Sequence, residues 1–409
     1  MTLKKKFKIT TLGCRTNQYE SQGYLDQLKG MGFVLAAEDE KADLCVVNTC
    51  TVTAEADKSS KAKIRQLLRD NPEGKVVVTG CLVENSEKVR DDLLGLSPNV
   101  QIVRNLEKEE LVAQVFPEEE VLEFLISGFE AHTRAFVKVQ DGCNSFCTYC
   151  IIPYTRGRSR SRPVPEILDE IRGLVKNGYK EVVLTGINIG DFDGGGGARL
   201  HELVREVDQI DCLERIRISS IDPDEVDDDL AASVLQSKKT CPSMHVVLQS
   251  GSNVVLKRMN RKYTQQMFLD CVEKMKKANP DFTFTTDVIV GFPGETDRDF
   301  QDTLDLVEQV QFAKVHMFPY SDRPRTRACN YPNKVPPEVM RERKEKLLMA
   351  ADRAAFRLRQ NFVGRTMKVL TEETGIGHTE NFLKVKLMQD IPRNEIKEVY
   401  LKENTEEGF

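Results

Sequence analysis

The chain has 409 residues, of which 40% are hydrophobic and 30% are charged, and its formal net charge is −5. This length exceeds what one ordinary hydrophobic core organises, so we expect two or three domains. The composition is that of a globular protein. No run of about 18 apolar residues suits a membrane-spanning helix. The acidic net charge does not by itself indicate nucleic-acid binding.

The amino-terminal sequence MTLKKKFKITTLG begins with basic residues, but no apolar run of signal-peptide length follows it. We therefore expect a cytoplasmic protein. The chain contains 11 cysteines. In a reducing compartment these are better explained as metal ligands, catalytic residues or core residues than as disulfides.

Between residues 1 and 130, strand-like runs alternate with helical patterns, which predicts a parallel α/β sheet. Three of the runs, FKITTLGC, DLCVVNTC and KVVVTGC, end in Cys14, Cys50 and Cys81. Because the carboxyl ends of parallel strands share one edge of a sheet, we expect these cysteines to form a metal site there. A single cysteine is more often a small core residue, and Cys45, within its strand, fits that interpretation.

Residues 131–362 contain six further strand-like runs separated by helical patterns, which predicts a barrel or partial barrel of six β/α units. In such folds the functional residues gather on loops at the carboxyl ends of the strands. Here those loops are polar and contain glycine, as a cavity for a polar cofactor requires. Each loop alone is also typical of an ordinary turn.

The last predicted elements are a helix over residues 339–362 and short alternating runs between 363 and 409, including MKVL, FLKVKL and IKEVYL. Turn residues separate these runs, which predicts a small all-β module. A module of about 45 residues is near the lower limit for independent stability. We therefore expect it to depend on the domain beside it.

The segment CNSFCTYC places Cys143, Cys147 and Cys150 within eight positions. A zinc site usually combines one Cys-x2-Cys pair with a second pair of ligands, and Cys212 and Cys241, which follow, stand alone. Three thiolates from one short loop can instead hold three irons of a cubic 4Fe–4S cluster and leave the fourth iron open for a small chelating ligand. The spacing therefore favours an iron–sulfur cluster.

The longer stretch GCNSFCTYCIIPYTRGRSRSR resembles the radical S-adenosylmethionine (SAM) motif of the methylthiotransferases. The stretches TLGCRTNQYES, VVNTC and VTGC resemble the cysteine motifs of that family's amino-terminal domain, and LTGINIGDF, SSIDP, LQSGS and VIVGFPGET extend the likeness through the barrel. The end of the chain is similar to TRAM, the small RNA-binding barrel of the family. Within the family, the cluster stretch and LTGINIG most resemble the branch that acts on N6-threonylcarbamoyladenosine in tRNA.

The resemblance implies a reaction that uses two 4Fe–4S clusters and two molecules of SAM. The catalytic cluster would be held by Cys143, Cys147 and Cys150, and its open iron would chelate SAM. Reductive cleavage of that SAM would yield a radical, which would remove hydrogen from C2 of the adenine. A second cluster, which carries the sulfur to be inserted, would be held by Cys14, Cys50 and Cys81. The candidates for the SAM pocket at the strand ends are Gly186, Asn188, Ser219, Gln249 and Gly291.

The resemblance also implies a tRNA anticodon stem-loop as substrate and an electron donor such as a flavodoxin or ferredoxin, with no membrane partner. Arginines alternate directly after the cluster loop, and in an extended run their side chains would share one face and contact RNA; they are Arg156, Arg158, Arg160 and Arg162. Residues 321–368 contain 13 Lys and Arg against 5 Asp and Glu, although a solvated helix face also explains such a run.

The remaining patterns leave two alternatives open. The first is a non-catalytic RNA-binding module that holds zinc. The second keeps the radical chemistry but acts on isopentenyladenosine in tRNA or on an aspartate of a ribosomal protein. The five histidines follow no ligand spacing, and we interpret them as structural or surface residues; they are His132, His201, His245, His316 and His378.

Overall fold

A computed structural model of the chain describes residues 5–129, 132–373, 375–388 and 391–409. The chain forms two compact units, each of which is discontinuous in sequence. The first contains residues 1–129, 141–160 and 321–329; the second contains residues 130–140, 161–320 and 330–409. The cluster loop thus belongs to the first unit and the carboxyl-terminal module to the second. The predicted boundary at residues 130 and 131 lies outside the described residues.

The first unit is built on a parallel sheet of five strands. In sheet order the strands are Val34–Leu35, Lys6–Thr11, Leu44–Thr49, Lys75–Gly80 and Val100–Ile102. The α-helices of this unit are Arg15–Gly30, Ala54–Asp70, Glu87–Leu94, Leu111–Val115 and Ile152–Thr155. The parallel α/β prediction is confirmed, and the two edge strands are the elements that the sequence patterns did not indicate.

Both faces of this sheet are covered by helices, which explains why its central strands are almost continuously apolar. One face carries Val47, Val76 and Val78 against Ile64, and the other carries further valines against the first helix. Cys45 is fully buried within the first of these clusters. The interpretation of Cys45 as a core residue is therefore confirmed.

The second unit contains a parallel sheet of six strands that lie in sequence order. The strands are Ala135–Lys138, Glu181–Thr185, Arg215–Ile221, Thr240–Val246, Thr283–Val290 and Lys314–Pro319. The helices are Val164–Lys176, Leu200–Asp208, Asp228–Gln236, Asn253–Arg258, Gln265–Ala278, Asp297–Val310 and Pro337–Gln360. This is the predicted partial barrel of six β/α units. Within the part of the chain that the structure describes, no helix is long and apolar enough to cross a membrane.

The two faces of the six-stranded sheet differ in chemistry. Ile218 pairs in register with Met244, which pairs with Phe284, and all three are buried apolar residues. Right-handed crossovers place the connecting helices on one side of a parallel sheet, so this apolar face is the one that they cover. The opposite face carries polar side chains, including Arg217 and His245, and forms the interior of the barrel.

The carboxyl-terminal module is an antiparallel sheet that contacts the amino ends of the barrel strands. In sheet order its strands are Lys384–Lys386, Ile376–Thr379, Thr366–Glu373 and Ile396–Tyr400. Arg215 donates to the carbonyl oxygen of Lys368 at 2.9 Å, Arg217 to that of Thr379 at 3.0 Å, and Thr283 to that of Asn381 at 2.5 Å. The predicted all-β module therefore closes the amino-terminal end of the barrel, opposite the end where ligands bind in such folds.

Candidate functional site

Three cysteines follow neighbouring strands of the five-stranded sheet. Cys14 is the N-cap of the helix Arg15–Gly30, Cys50 comes directly after the central strand, and Cys81 begins a short 3-10 helix. Thr11 pairs in register with Asn48, and Thr49 pairs with Gly80, so the three strands end at one level of the sheet. The structure thus brings these cysteines to one edge, as the sequence predicted.

Glycines make this edge compact enough for the cysteines to approach one another. Gly13 has φ +97°, and a Cβ atom there would lie 2.8 Å from Cys50 Cβ and 2.9 Å from its sulfur. Gly80 has φ +90°, and a Cβ atom there would lie 2.5 Å from the carbonyl oxygen of Thr49. Both positions therefore require glycine for backbone conformation and for space.

Burial dominates the electrostatics of these thiols. It raises the pKa of Cys50 to about 11, and the neighbouring thiols of Cys81 and Cys14 act in the same direction. Burial also raises the pKa of Cys81, while the guanidinium of Arg156 opposes that change. The mutual influence of the thiols indicates that all three share one small region, which is what ligands of one cluster require.

The second group of cysteines lies on a short loop of the same unit. The N–H of Cys143 donates to the carbonyl oxygen of Gly157 at 3.2 Å, and the N–H of Cys150 donates to that of Cys147 at 3.0 Å. The N–H of Ser145 donates to the sulfur of Cys143 at 3.4 Å. A backbone N–H directed at a cysteine sulfur stabilises a cluster thiolate, so the contact at Cys143 fits an iron–sulfur ligand.

The RNA-contact prediction for Arg156 is wrong. Its side chain is completely buried, so that it presents no charge to a nucleic acid. Arg156 follows the helix Ile152–Thr155 in right-handed helical conformation, and Gly157 then adopts φ +83°, so the run after the loop is not one extended strand. Alternation in the sequence therefore does not place these arginines on one face.

The Arg156 guanidinium instead joins the two cysteine segments of the first unit. Its Nη1 lies 2.8 Å from Asp141 Oδ1 and 3.2 Å from Glu20 Oε1. Its Nη2 hydrogen-bonds to Asn17 Oδ1 and lies 3.9 Å from the sulfur of Cys14. Its Nε is buried and has no hydrogen-bond partner among the described residues. A fixed positive charge thus stands directly beside one candidate ligand.

Lys108 completes this buried charge cluster. Its Nζ lies 2.6 Å from Glu20 Oε1 and 2.6 Å from Asp141 Oδ2, and its side chain is 4% exposed. The cluster therefore pairs two cations with two carboxylates, as buried charges require. Sequence reasoning missed Glu20, Lys108 and Asp141. Glu20 and Asp141 lie close to the cysteine motifs, whereas Lys108 lies among other charged residues and gives no signal of its own.

The other three arginines after the loop differ in exposure. Arg158 is exposed and stacks over the ring of Phe146 at 4.3 Å. Arg160 is 47% exposed and lies 3.6 Å from Asp141 Oδ2. Arg162, in the second unit, pairs with Glu170 at 2.8 Å and is 22% exposed. Arg158 and Arg160 thus retain surface charge, whereas Arg162 is largely occupied by an internal carboxylate.

Much of the positive charge predicted between residues 321 and 368 is paired with carboxylates, at buried positions for Arg323 and Arg343 and at exposed positions for the others. Five arginines of this segment pair with carboxylates of their own unit. Their pairs are Arg323 with Asp57, Arg343 with Glu295 and Asp297, Arg353 and Arg357 with Glu308, and Arg365 with Asp281. The segment therefore offers less free positive charge than its composition indicates.

In the barrel, Gly186 and Asn188 form a turn around Gln140. The backbone N–H groups of Ile187 and Asn188 donate to Gln140 Oε1 at 3.0 and 3.1 Å. A Cβ atom at Gly186 would lie 2.8 Å from that oxygen, so the turn requires glycine. Asn188 Nδ2 donates to Glu225 Oε1 at 2.9 Å. Sequence reasoning missed Gln140, which directly precedes the cluster segment.

Ser219 and Gln249 carry buried polar atoms that are available to a ligand. Ser219 Oγ and Gln249 Oε1 have no hydrogen-bond partner among the described residues. Gln249 adopts φ +61°, and its backbone is held by hydrogen bonds with Asp287 and Ile289 at 2.8 and 2.9 Å. Buried polar groups are normally satisfied, so two orphaned atoms at the strand ends fit the binding of a polar cofactor.

Gly291 has a different explanation. It has φ +75°, and a Cβ atom there would lie 2.8 Å from Met340 Cγ. Its N–H already donates to the two carboxylate oxygens of Glu295, each at 3.2 Å, and Arg343 holds that carboxylate at 2.7 Å. Close packing and an internal hydrogen bond thus account for this glycine without a ligand.

The donor sets fit clusters better than single ions. Among the residues that the structure describes, no three His, Cys, Asp or Glu side chains are placed to hold one metal ion. The thiolates of a cubic cluster bind separate irons and therefore need not converge on one point. Each cysteine group supplies three sulfur donors, which is the soft ligand type that iron–sulfur clusters use.

Two family profiles match the chain. The radical SAM superfamily matches residues 137–307, and the uncharacterized protein family UPF0004 matches residues 6–104. The first match covers the cluster loop and most of the barrel. The second contains Cys14, Cys50 and Cys81.

Curated proteins resemble the chain over nearly its whole length. It is 49% identical to threonylcarbamoyladenosine tRNA methylthiotransferase MtaB of Chlamydia pneumoniae, across 100% of this chain and 98% of that protein. It is 38% identical to tRNA-2-methylthio-N(6)-dimethylallyladenosine synthase of Carboxydothermus hydrogenoformans, across 90% of this chain and 88% of that protein. The solved structure of the radical SAM methyltransferase TsrM from Kitasatospora setae shares the fold, with a TM-score of 0.59, 13% identity and coverage of 80% and 77%.

Proposed function

The chain belongs to the radical SAM tRNA methylthiotransferases, and we propose that it converts N6-threonylcarbamoyladenosine beside the tRNA anticodon to its 2-methylthio derivative. The observation that carries the proposal is that both cysteine groups lie in one compact unit, where Arg156 links their segments. A reaction that inserts sulfur at an unactivated carbon needs a radical source and a sulfur carrier near one base.

We assign each cysteine group a separate role. Bound at the cluster loop, an iron–sulfur cluster with SAM supplies the radical that removes hydrogen from C2 of the adenine. Cys143, Cys147 and Cys150 would hold that cluster, and the N–H of Ser145 would stabilise the thiolate of Cys143. Cys14, Cys50 and Cys81 would hold the second cluster, which would supply the inserted sulfur. The barrel residues that would bind polar groups of SAM are Ser219, Gln249 and Asn188.

The substrate branch follows from the degree of likeness. The relative named for threonylcarbamoyladenosine is 49% identical over the whole chain, whereas that named for dimethylallyladenosine is 38% identical over 90% of it. Relatives of both names occur at 35–39% identity, so the full-length match at 49% is what favours the first substrate. The alternative is the same chemistry on isopentenyladenosine.

The exposed Arg158 and Arg160 contact phosphates of the anticodon stem-loop, which positions the RNA without reading its bases. The adenine must leave the stack of the loop to reach the cofactor. A one-electron donor such as a flavodoxin or ferredoxin would supply the electron that the cluster bound by the loop requires.

Mass spectrometry of tRNA nucleosides tests the substrate. We expect cells that lack this gene to lose 2-methylthio-N6-threonylcarbamoyladenosine and to regain it when the gene is restored. Loss of the methylthio derivative of isopentenyladenosine instead would assign the chain to the alternative branch.

Iron analysis of the purified protein tests the cofactors. Anaerobically reconstituted protein should contain about eight irons per chain, and the Cys143→Ala variant should contain about four. That variant should no longer cleave SAM, whereas Cys50→Ala should cleave it without inserting sulfur. Methylthiolation by either variant, or zinc as the sole metal of active protein, would contradict the assigned roles.

A further inference from the structure

Two histidines and an aspartate lie together on the polar face of the six-stranded sheet. His245 pairs in register with Thr285, and Asp287 pairs with His316. In-register neighbours of a parallel sheet point to the same face, and positions two apart on one strand do so as well. The strands therefore align these four side chains, although the sequence offers no spacing that would connect the histidines.

The side chains contact one another. His245 Nδ1 lies 2.9 Å from Thr285 Oγ1, and the rings of His245 and His316 have centroids 5.8 Å apart. His245 Nε2 lies 3.4 Å from Asp287 Oδ1 but has no partner with hydrogen-bond geometry among the described residues. The side chains of His245 and Asp287 are 15% and 28% exposed, so they line a space rather than pack into the core.

Along the edge strand Lys314–Pro319, the side chains on this same face change from cationic to aromatic. Lys314 pairs in register with Thr285 and is exposed, and Phe318 pairs with Ile289 and is 43% exposed. An exposed aromatic ring near the carboxyl end of the strand offers a surface on which a flipped base can stack. Toward the amino end of this strand, the same face carries His316 and the exposed Lys314.

We propose that His245, Asp287 and His316 form a pocket for the amino-acid substituent on N6 of the substrate adenine. The inference rests on the proposed function and names the part of the substrate that the barrel recognises. The threonylcarbamoyl group carries a carboxylate and a hydroxyl, which accept hydrogen bonds from the two imidazoles and Lys314. Its urea N–H and its hydroxyl donate to Asp287. Each hydrogen-bond acceptor and donor of the threonylcarbamoyl group thus has a partner among the pocket residues.

The proposed pocket disfavours an isopentenyl group at the same position. That hydrocarbon can pair with neither the imidazoles nor the carboxylate of Asp287, and burying polar groups without partners costs free energy. A site built from hydrogen-bonding groups discriminates strongly against an analogue that lacks them.

Synthetic anticodon stem-loops test the proposal. The holoenzyme is assayed on a loop that contains N6-threonylcarbamoyladenosine and on the same loop with the threonine carboxylate as its methyl ester. The wild type should favour the acid by about 10- to 100-fold in kcat/KM, because a charged hydrogen bond contributes about 1.5 to 3 kcal/mol. In His316→Leu and His245→Leu most of this preference should disappear, chiefly through a higher KM for the acid.

Two further variants separate recognition from folding. Met317→Leu alters the neighbouring side chain on the opposite face of the strand and should keep the acid preference. His316→Gln retains a hydrogen-bond donor and should keep part of the acid preference that His316→Leu loses. Iron content and circular dichroism of each variant show whether the barrel is intact.

The outcomes distinguish the inference from the proposed function. The same anticodon stem-loop with isopentenyladenosine at the modified position is a third substrate. A wild-type enzyme that modifies this loop and neither of the other two would overturn the proposed function. A wild-type enzyme that prefers the acid, together with His245 and His316 variants that keep the same acid-to-ester ratio, would overturn the pocket alone.

Discussion

The Nη2 atom of Arg156 lies 3.9 Å from the sulfur of Cys14, although the two residues are 142 positions apart. Arg156 follows the loop that carries one cysteine group, and Cys14 belongs to the other. A completely buried guanidinium thus holds the two segments together and places a positive charge beside a candidate cluster ligand. This contact is the most direct physical link between the two halves of the proposed chemistry.

Replacement of Arg156 by methionine should strongly destabilise the protein. The change removes the guanidinium that pairs with both Glu20 and Asp141, while Lys108 still pairs with both and Arg160 still lies beside Asp141. Breaking a buried ion pair typically costs about 3 to 5 kcal/mol. Urea unfolding of the apoprotein measures this loss. Arg158→Met, at an exposed position, should change the free energy of unfolding by less than about 1 kcal/mol. Equal effects of the two variants would contradict the role of Arg156.

Gly13→Ala should impair the first cysteine group without affecting the second. The new Cβ would lie 2.9 Å from the sulfur of Cys50 and displace it. We expect the iron content after reconstitution to fall from about eight to about four per chain. Gly32→Ala is the matched control, because Gly32 also has positive φ but no atom lies within 4 Å of its Cβ position. Its backbone strain of about 1 kcal/mol should leave the iron content unchanged.

Glu181 should be essential for the stability of the amino-terminal end of the barrel, which the carboxyl-terminal module closes. Its buried carboxylate lies 2.5 Å from Arg217, 2.9 Å from Arg134 and 3.6 Å from Arg215. Glu181→Gln leaves three cations with fewer partners and should cost about 3 to 5 kcal/mol in the free energy of unfolding. Calorimetry or urea unfolding at neutral pH measures the change, and a loss below about 1 kcal/mol would show that the module is held by other contacts.

The same carboxylate should make stability sensitive to acid. Burial alone would raise the pKa of Glu181, but Arg217, Arg134 and Arg215 together hold it below its ordinary value of 4.5. A depressed folded-state pKa stabilises the protein above the unfolded-state value, and that contribution is lost as the pH falls through the folded-state value. Wild-type protein should therefore lose stability below about pH 4.5, and Glu181→Gln should lose less.

Glu225 should make the protein less stable as the pH rises, which is the opposite of the effect of Glu181. Burial raises its pKa from 4.5 to about 7, and the nearby Asp222 adds to the effect. Because the unfolded chain releases this proton first, stability should fall as the pH rises from 4.5 to about 7. Glu225→Gln mimics the neutral carboxyl, so its stability relative to wild type should increase between about pH 5 and about pH 7.5. Glu206→Gln, at an exposed site, is the control for the substitution itself.

The pattern of the sequence predicted the longer strands of both parallel sheets and the clustering of cysteines at one edge, but not the two short edge strands of the first sheet. Cys14, Cys50 and Cys81 each follow an apolar run, and the geometry of parallel sheets brings such positions together without further information. The spacing of Cys143, Cys147 and Cys150 is likewise local, since one loop provides all three. Local periodicity and spacing therefore determined both candidate cysteine groups and the partial barrel.

Only the tertiary structure decided which polar residues are buried and what they contact. Alternating arginines predicted an RNA-binding face, yet Arg156 is enclosed by carboxylates from segments distant in the chain. His245 and His316, which follow no pattern, meet because the strand register aligns them. Burial and ion pairing depend on which segments pack together, and a single sequence encodes that packing in no local period.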